Sequence, residues 1–179
     1  MSHLGRAPRL PYTESARMKH FPFGPVSALA LDMTIFERLR ADHDVQRTLM
    51  KLVVKTHGDS RGRQELFERL KKAMEAHAEA EERAFYAPLL STELGREHAA
   101  HSVKEHEEIR QKLEELAQHD MSSSGWVAKA KVLCELNDHH MTEEEHQIFQ
   151  VAGKALTEQE KARALREFDA YYEQAQAAE

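Results

Sequence analysis

His77-Ala-Glu-Ala-Glu81-Glu82 and His140-Met-Thr-Glu-Glu144-Glu145 present one histidine–carboxylate signature twice, 63 residues apart. Asp42-His43 and Glu105-His106 repeat at the same offset, each followed four residues later by an arginine, Arg47 and Arg110. The chain is one unit written twice, and each copy supplies a lone His and a His-x-x-x-Glu pair. On a helix, residues four apart lie one turn above each other with Cβ atoms about 5–6 Å apart, so both side chains of a pair can reach one ion. Two pairs and two lone histidines brought together make a two-metal site.

The bulk properties agree with a helical protein of this kind. A chain of 179 residues suffices for one domain with a substantial core. Charged residues make up 31% and aromatics 7%, with few Gly and Pro, a balance that favours an all-α fold. A net charge of −6 and the absence of a Lys/Arg block argue against nucleic acid as a partner. No run approaches the roughly 18–20 apolar residues of a membrane span. Cys134 is the only cysteine, which excludes an intramolecular disulfide and fits a reducing compartment. The short apolar run Val26–Leu31 is a poor secretory signal. The expected location is cytoplasmic.

Residues 1–32 hold Pro8, Pro11, Pro22 and Pro25 without sustained periodicity, and read as an irregular N-terminal arm. Helical patterns follow over about 33–56, 62–90, 92–119 and 125–151. Thr157-Glu-Gln-Glu160 is a capping box that opens a fifth, with Ala162, Leu165, Phe168 and Tyr172 as its apolar stripe. Long helices joined by short links are expected to run up-down-up-down as a four-helix bundle over 33–152. An additional amphipathic C-terminal helix over 153–179 then caps or flanks it.

The apolar seam of each helix runs through the candidate ligands. In the first, Leu39, His43, Gln46, Met50 and Val53 step by four and three, so His43 stands where a leucine belongs. His77 and Glu81, His106, and His140 and Glu144 occupy the same place in the next three. Glutamate is rarely buried unless paired or coordinated. One such histidine is ordinarily a hydrogen-bonded core residue; four with two glutamates on converging seams point to shared metal ligation. His139 with Glu143 offers a competing register one residue away, but its seam is more polar and it breaks the repeat.

This arrangement resembles the hemerythrin-like (HHE cation-binding) family: His in helix one, His-x-x-x-Glu-Glu in helices two and four, Glu-His in helix three. Phe85-Tyr86-Ala-Pro88 and Ile148-Phe149 are similar to the family's endings of helices two and four. The resemblance implies two Fe ions, with zinc or manganese as substitutes, held by His43, His77, Glu81, His106, His140 and Glu144. It further implies that both carboxylates bridge and that O2, peroxide or nitric oxide is the small partner, with peroxide consumption as one activity. Oxygen-carrying members have another helix-three histidine, where this chain has Ser102. His101 lies about 140° around the helix from His106, and His98 about 80° and two turns away, so neither replaces it cleanly. The cysteine-containing domain of the related iron–sulfur repair proteins has no counterpart in the arm. Glu82 and Glu145 are expected to hydrogen-bond ligand histidines of neighbouring helices. Tyr86 and Phe149 read as core, Cys134 as a small buried hydrophobe, and His57 as a cap of the first helix. His3, His20, His119 and His146 read as surface.

Overall fold

The structure is a computed structural model that describes residues 33–177; the expectations for residues 1–32, His3 and His20 included, lie outside it. All regular structure among the described residues is helical. Helix α1 spans Ile35–Val53, capped by Thr34, whose hydroxyl accepts from the Glu37 amide at 3.2 Å while Glu37 accepts from the Thr34 amide at 2.7 Å. Helix α2 spans Arg61–Glu81, passes through a π-helical turn at Glu82–Tyr86 and ends with Ala87–Leu90. Helix α3 spans Arg96–Ala117. Helix α4 spans Ser124–Glu143, takes a second π-helical turn at Glu144–Ile148 and ends with Phe149–Ala155. Helix α5 spans Glu158–Ala177 and opens on the expected box, Thr157 and Glu160 exchanging bonds of 2.7 and 3.3 Å. None of these helices is long and apolar enough to cross a membrane.

Helix α1 packs on α2 and α4, α3 packs on α4 and α2, and α5 lies along α2 and α1. The core falls into two apolar clusters. One joins Leu39 of α1, Phe85 and Leu89 of α2, Ala99 of α3, Phe149 of α4 and Phe168 of α5. The other joins Met50, Phe67, Leu70, Leu113, Trp126 and Leu133. Along each of the first four helices the candidate ligands fall between the two, as a polar belt across the core.

Three details differ from the sequence reading. The first helix ends at Val53 rather than 56, and the chain turns away through Gly58 at φ +59°. His57 is therefore exposed beyond the helix end and does not cap it. The π-helical turns add one residue to a turn, so the buried seam slips by one: Phe149 and Ala152 are buried in α4, whereas Val151 is only half-buried. The α5 stripe likewise centres on Ala164 and Phe168 rather than on Ala162. At the far end of the core, Arg63 is 1% exposed; its guanidinium bonds Thr56 and the Met121 carbonyl and covers the Trp126 ring. That satisfied charge ties the α1–α2 link to the α3–α4 link.

Candidate metal centre

The six candidate ligands converge. His43 and Glu144 face each other at 3.2 Å from Nε2 to Oε2, and His77 Nε2 lies 3.5 Å from Glu81 Oε2. The same Glu81 oxygen is 3.4 Å from His106 Nε2, and the Nε2 atoms of His106 and His140 are 2.9 Å apart. Each of the six is at most 3% exposed. Their donor atoms form two groups, His43–His77–Glu81–Glu144 and Glu81–His106–His140, in each of which all the atoms lie within 4.8 Å of one another. Glu81 belongs to both groups, Glu144 to the first alone. Neither His98 nor His139 enters them.

Every inward imidazole is aimed from behind by a carboxylate. Glu145 accepts from His43 Nδ1 at 2.8 Å, Glu82 from His106 at 2.9 Å, Glu105 from His140 at 3.0 Å and Asp42 from His77 at 3.3 Å. Under the 63-residue offset these are two bonds written twice, Asp42–His77 with Glu105–His140 and Glu82–His106 with Glu145–His43. Arg47 and Arg110 extend the relation, binding Glu145 at 2.8 Å and Glu82 at 2.5 Å. A carboxylate on Nδ1–H fixes the tautomer that leaves the Nε2 lone pair pointing inward. Burial pushes most of these acids up, yet the histidine hydrogen bonds hold Asp42, Glu82, Glu105 and Glu145 below the ordinary carboxylate values.

Asp42, Glu105 and the two arginines were visible as repeated letters in the sequence, but their roles were not. The packing of α1 on α2 discloses the role of Asp42 and that of α3 on α4 the role of Glu105, while the arginines act where α1 meets α4 and α2 meets α3. Tyr86, read as a core ring, is fully buried and also donates its hydroxyl to Glu144 Oε1 at 3.1 Å. Ser102 is buried one helical turn before His106. The two halves also differ in cover. Helix α5 sets Phe168 against His77, with ring centres 5.7 Å apart, and Phe168 and Tyr172 flank the Arg38 guanidinium that pairs with Asp42.

Whether the pocket fits metal ions is answered by its unsatisfied atoms. His43 Nε2, His77 Nε2, both Glu81 oxygens and Glu144 Oε2 are buried without a hydrogen-bond partner. Such groups cost about 1–3 kcal/mol each when left unmet, and here they face one another. Ligand atoms on a tetrahedral ion with bonds of about 2.0–2.2 Å stand roughly 3.3–3.6 Å apart, close to the separations above. The donor set of imidazole and carboxylate suits iron, manganese, zinc or nickel.

Loading should release protons. Burial disfavours a charged His77, but Glu81 and Asp42 outweigh it and raise its pKa to about 10. Burial and then the Glu81 charge push Glu144 up to about 8. Both therefore carry a proton at pH 7, and metal ions take deprotonated donors, so each chain should expel roughly one proton or more on loading, and affinity should rise with pH. Calorimetry of the metal-free protein in buffers of different ionisation enthalpy reads this directly. A heat independent of buffer contradicts it.

A family model described as the hemerythrin HHE cation-binding domain matches residues 34–152, and the chain belongs to that family. Among solved structures it is similar to a hemerythrin HHE cation binding domain-containing protein from Mycobacterium kansasii, with a TM-score of 0.73 and 20% sequence identity over 82% of this chain and 89% of that one. No curated protein matches the sequence.

Proposed function

We propose that the protein is a non-haem di-iron protein that binds and turns over a small oxidant, with peroxide favoured over long-lived O2 carriage. Residues 33–152 form its up-down-up-down bundle, the residue 1–32 arm and the helix after 153 are additions to it, and its setting is cytoplasmic. Support for the bundle comes from the two apolar clusters, each of which mixes the start of one helix with the end of the next. His43, His77, Glu81 and Glu144 would hold one ion, and Glu81, His106 and His140 the other. Iron in such a site supplies redox chemistry and an open position for the oxidant.

The observation that carries this reading is the inequality of the two groups. The second has three donors where the first has four, because Ser102 stands where a further histidine would be and Tyr86 retains one Glu144 oxygen. The less saturated ion is the place for an exogenous ligand. Four neutral imidazoles to two carboxylates leave net positive charge on the pair, which favours an anionic ligand. The protein's own contributions are to aim the imidazoles through the Nδ1 carboxylates, to place the Tyr86 hydroxyl proton beside Glu144, and to exclude water.

Protein purified aerobically without chelator should contain two irons per chain and show a ferric optical spectrum that azide or peroxide perturbs. Ser102→His, which supplies the absent imidazole and fills the open position, should slow peroxide consumption by about tenfold, equivalent to about 1.4 kcal/mol of barrier. One colourless metal per chain would establish a structural staple instead. Reversible O2 binding with indifference to peroxide would favour a carrier or sensor.

A further inference from the structure

A second histidine–glutamate cluster lies on the surface beside the buried pair. His101 and Glu105 are one turn apart on α3, and His139 and Glu143 are one turn apart on α4. His101 Nε2 stands 3.6 Å from Glu105 Oε1 and 3.9 Å from Glu143 Oε1, while His139 Nε2 stands 3.5 Å from Glu143 Oε2. These separations are too long for hydrogen bonds; the 3.5 and 3.6 Å distances match the spacing of donors around one tetrahedral ion, roughly 3.3–3.6 Å, and the 3.9 Å distance lies a few tenths of an ångström beyond it. One ligand atom from each of His101, Glu105 and Glu143 already falls within 4.8 Å of the others. His101 is open to solvent and the carboxylates are half-buried, so an ion can enter without any helix moving.

The repeat shows that these residues are not a by-product of the buried centre. Taking away the 63-residue offset, His101, Glu105, His139 and Glu143 correspond to Arg38, Asp42, Ala76 and Ala80. In the first half the equivalent carboxylate, Asp42, is neutralised by Arg38, and α5 lies over the two alanines' helix. In the second half the arginine is replaced by an imidazole and both alanines by donors. The supporting role of the carboxylate is retained, since Glu105 Oε2 still accepts from His140 Nδ1 at 3.0 Å. Its other oxygen, Oε1, is the one that faces His101.

From this we infer that His101, Glu105, His139 and Glu143 form an outer site for a borderline divalent transition-metal ion such as zinc, distinct from the buried pair. Two imidazoles and two carboxylates select zinc, cobalt, nickel or ferrous ions over calcium and magnesium, which prefer all-oxygen shells. Glu105 joins the two levels: an ion on Oε1 is one carboxylate away from the inner donor His140, and draws charge from the oxygen that holds that ring in place.

Equilibrium dialysis of iron-loaded protein against Zn2+ in excess magnesium, with iron and zinc both counted, tests the assignment. Wild type should take up one zinc per chain while retaining its iron. His101→Ala with Glu143→Gln should weaken that uptake at least tenfold with iron unchanged, and His139→Ala, at a 71% exposed side chain, should weaken it alone. Glu105 is left intact in both because it supports His140. Circular dichroism confirms that the variants fold; His139→Ala serves if the double variant does not. Zinc that replaces iron atom for atom, no zinc uptake, or equal uptake by the folded variants would each overturn the proposal.

Discussion

Glu81→Ala is expected to strip the protein of both buried metal ions, whereas Glu144→Ala should remove one. The difference follows from where the two carboxylates stand. Glu81 contributes to both groups of donors, so its loss leaves His106 and His140 facing each other without an anion and His43 and His77 with Glu144 alone. Glu144 belongs to the first group alone, and its Oε1 accepts from the Tyr86 hydroxyl. Losing only an outer hydrogen-bond partner of a metal ligand costs about 10–100-fold in affinity; losing the shared ligand itself should exceed that range for both ions. Metal counted after gel filtration would give near zero per chain for Glu81→Ala and near one for Glu144→Ala. Glu81→Gln keeps the volume and removes the charge, so it separates lost ligation from a collapsed cavity. If both alanine variants keep the same number of ions, the two carboxylates are equivalent bridges and the inequality of the groups is wrong.

The sequence made the helices and the convergence of six donors legible because two independent signals coincide. Helical periodicity alone puts His43 on a buried seam between Leu39 and Met50, but cannot say what it meets. The 63-residue repeat adds that whatever His43 does, His106 does too. What escaped the reading is what depends on packing between helices or on local winding. Nothing in Glu144-Glu145-His146-Gln147 announces a π-helical turn, so the phase after it was off by one at Val151, and Tyr86 was assigned by its bulk rather than by its hydroxyl. Asp42 and Glu105 precede ligand histidines, yet the rings they support belong to other helices. The competing pair His139 and Glu143 was set aside for being polar at one end. The structure places it at the surface against His101, where that polarity has a use.

Removing the metal should lower the thermal midpoint by about 15 °C or more, the second large effect expected. The belt of donors lies between the two apolar clusters, so the middle of the bundle depends on how these polar groups are met. Without ions, five donor atoms of His43, His77, Glu81 and Glu144 remain buried and unmet. At about 1–3 kcal/mol each they total roughly 5–15 kcal/mol, comparable with the whole stability of an ordinary domain. Proton uptake by His77 and Glu144 offsets part of this, since His77 then pairs with Glu81, which argues for the lower end. About 5 kcal/mol at roughly 3–5 °C for each kcal/mol in a domain of this size gives the stated shift. Ions that bind the folded state alone restore it by mass action, so the midpoint should also climb with free metal. Scanning calorimetry of chelator-treated and reloaded protein measures both. Coincident midpoints would mean that water reaches these atoms and that they are not held together for metal.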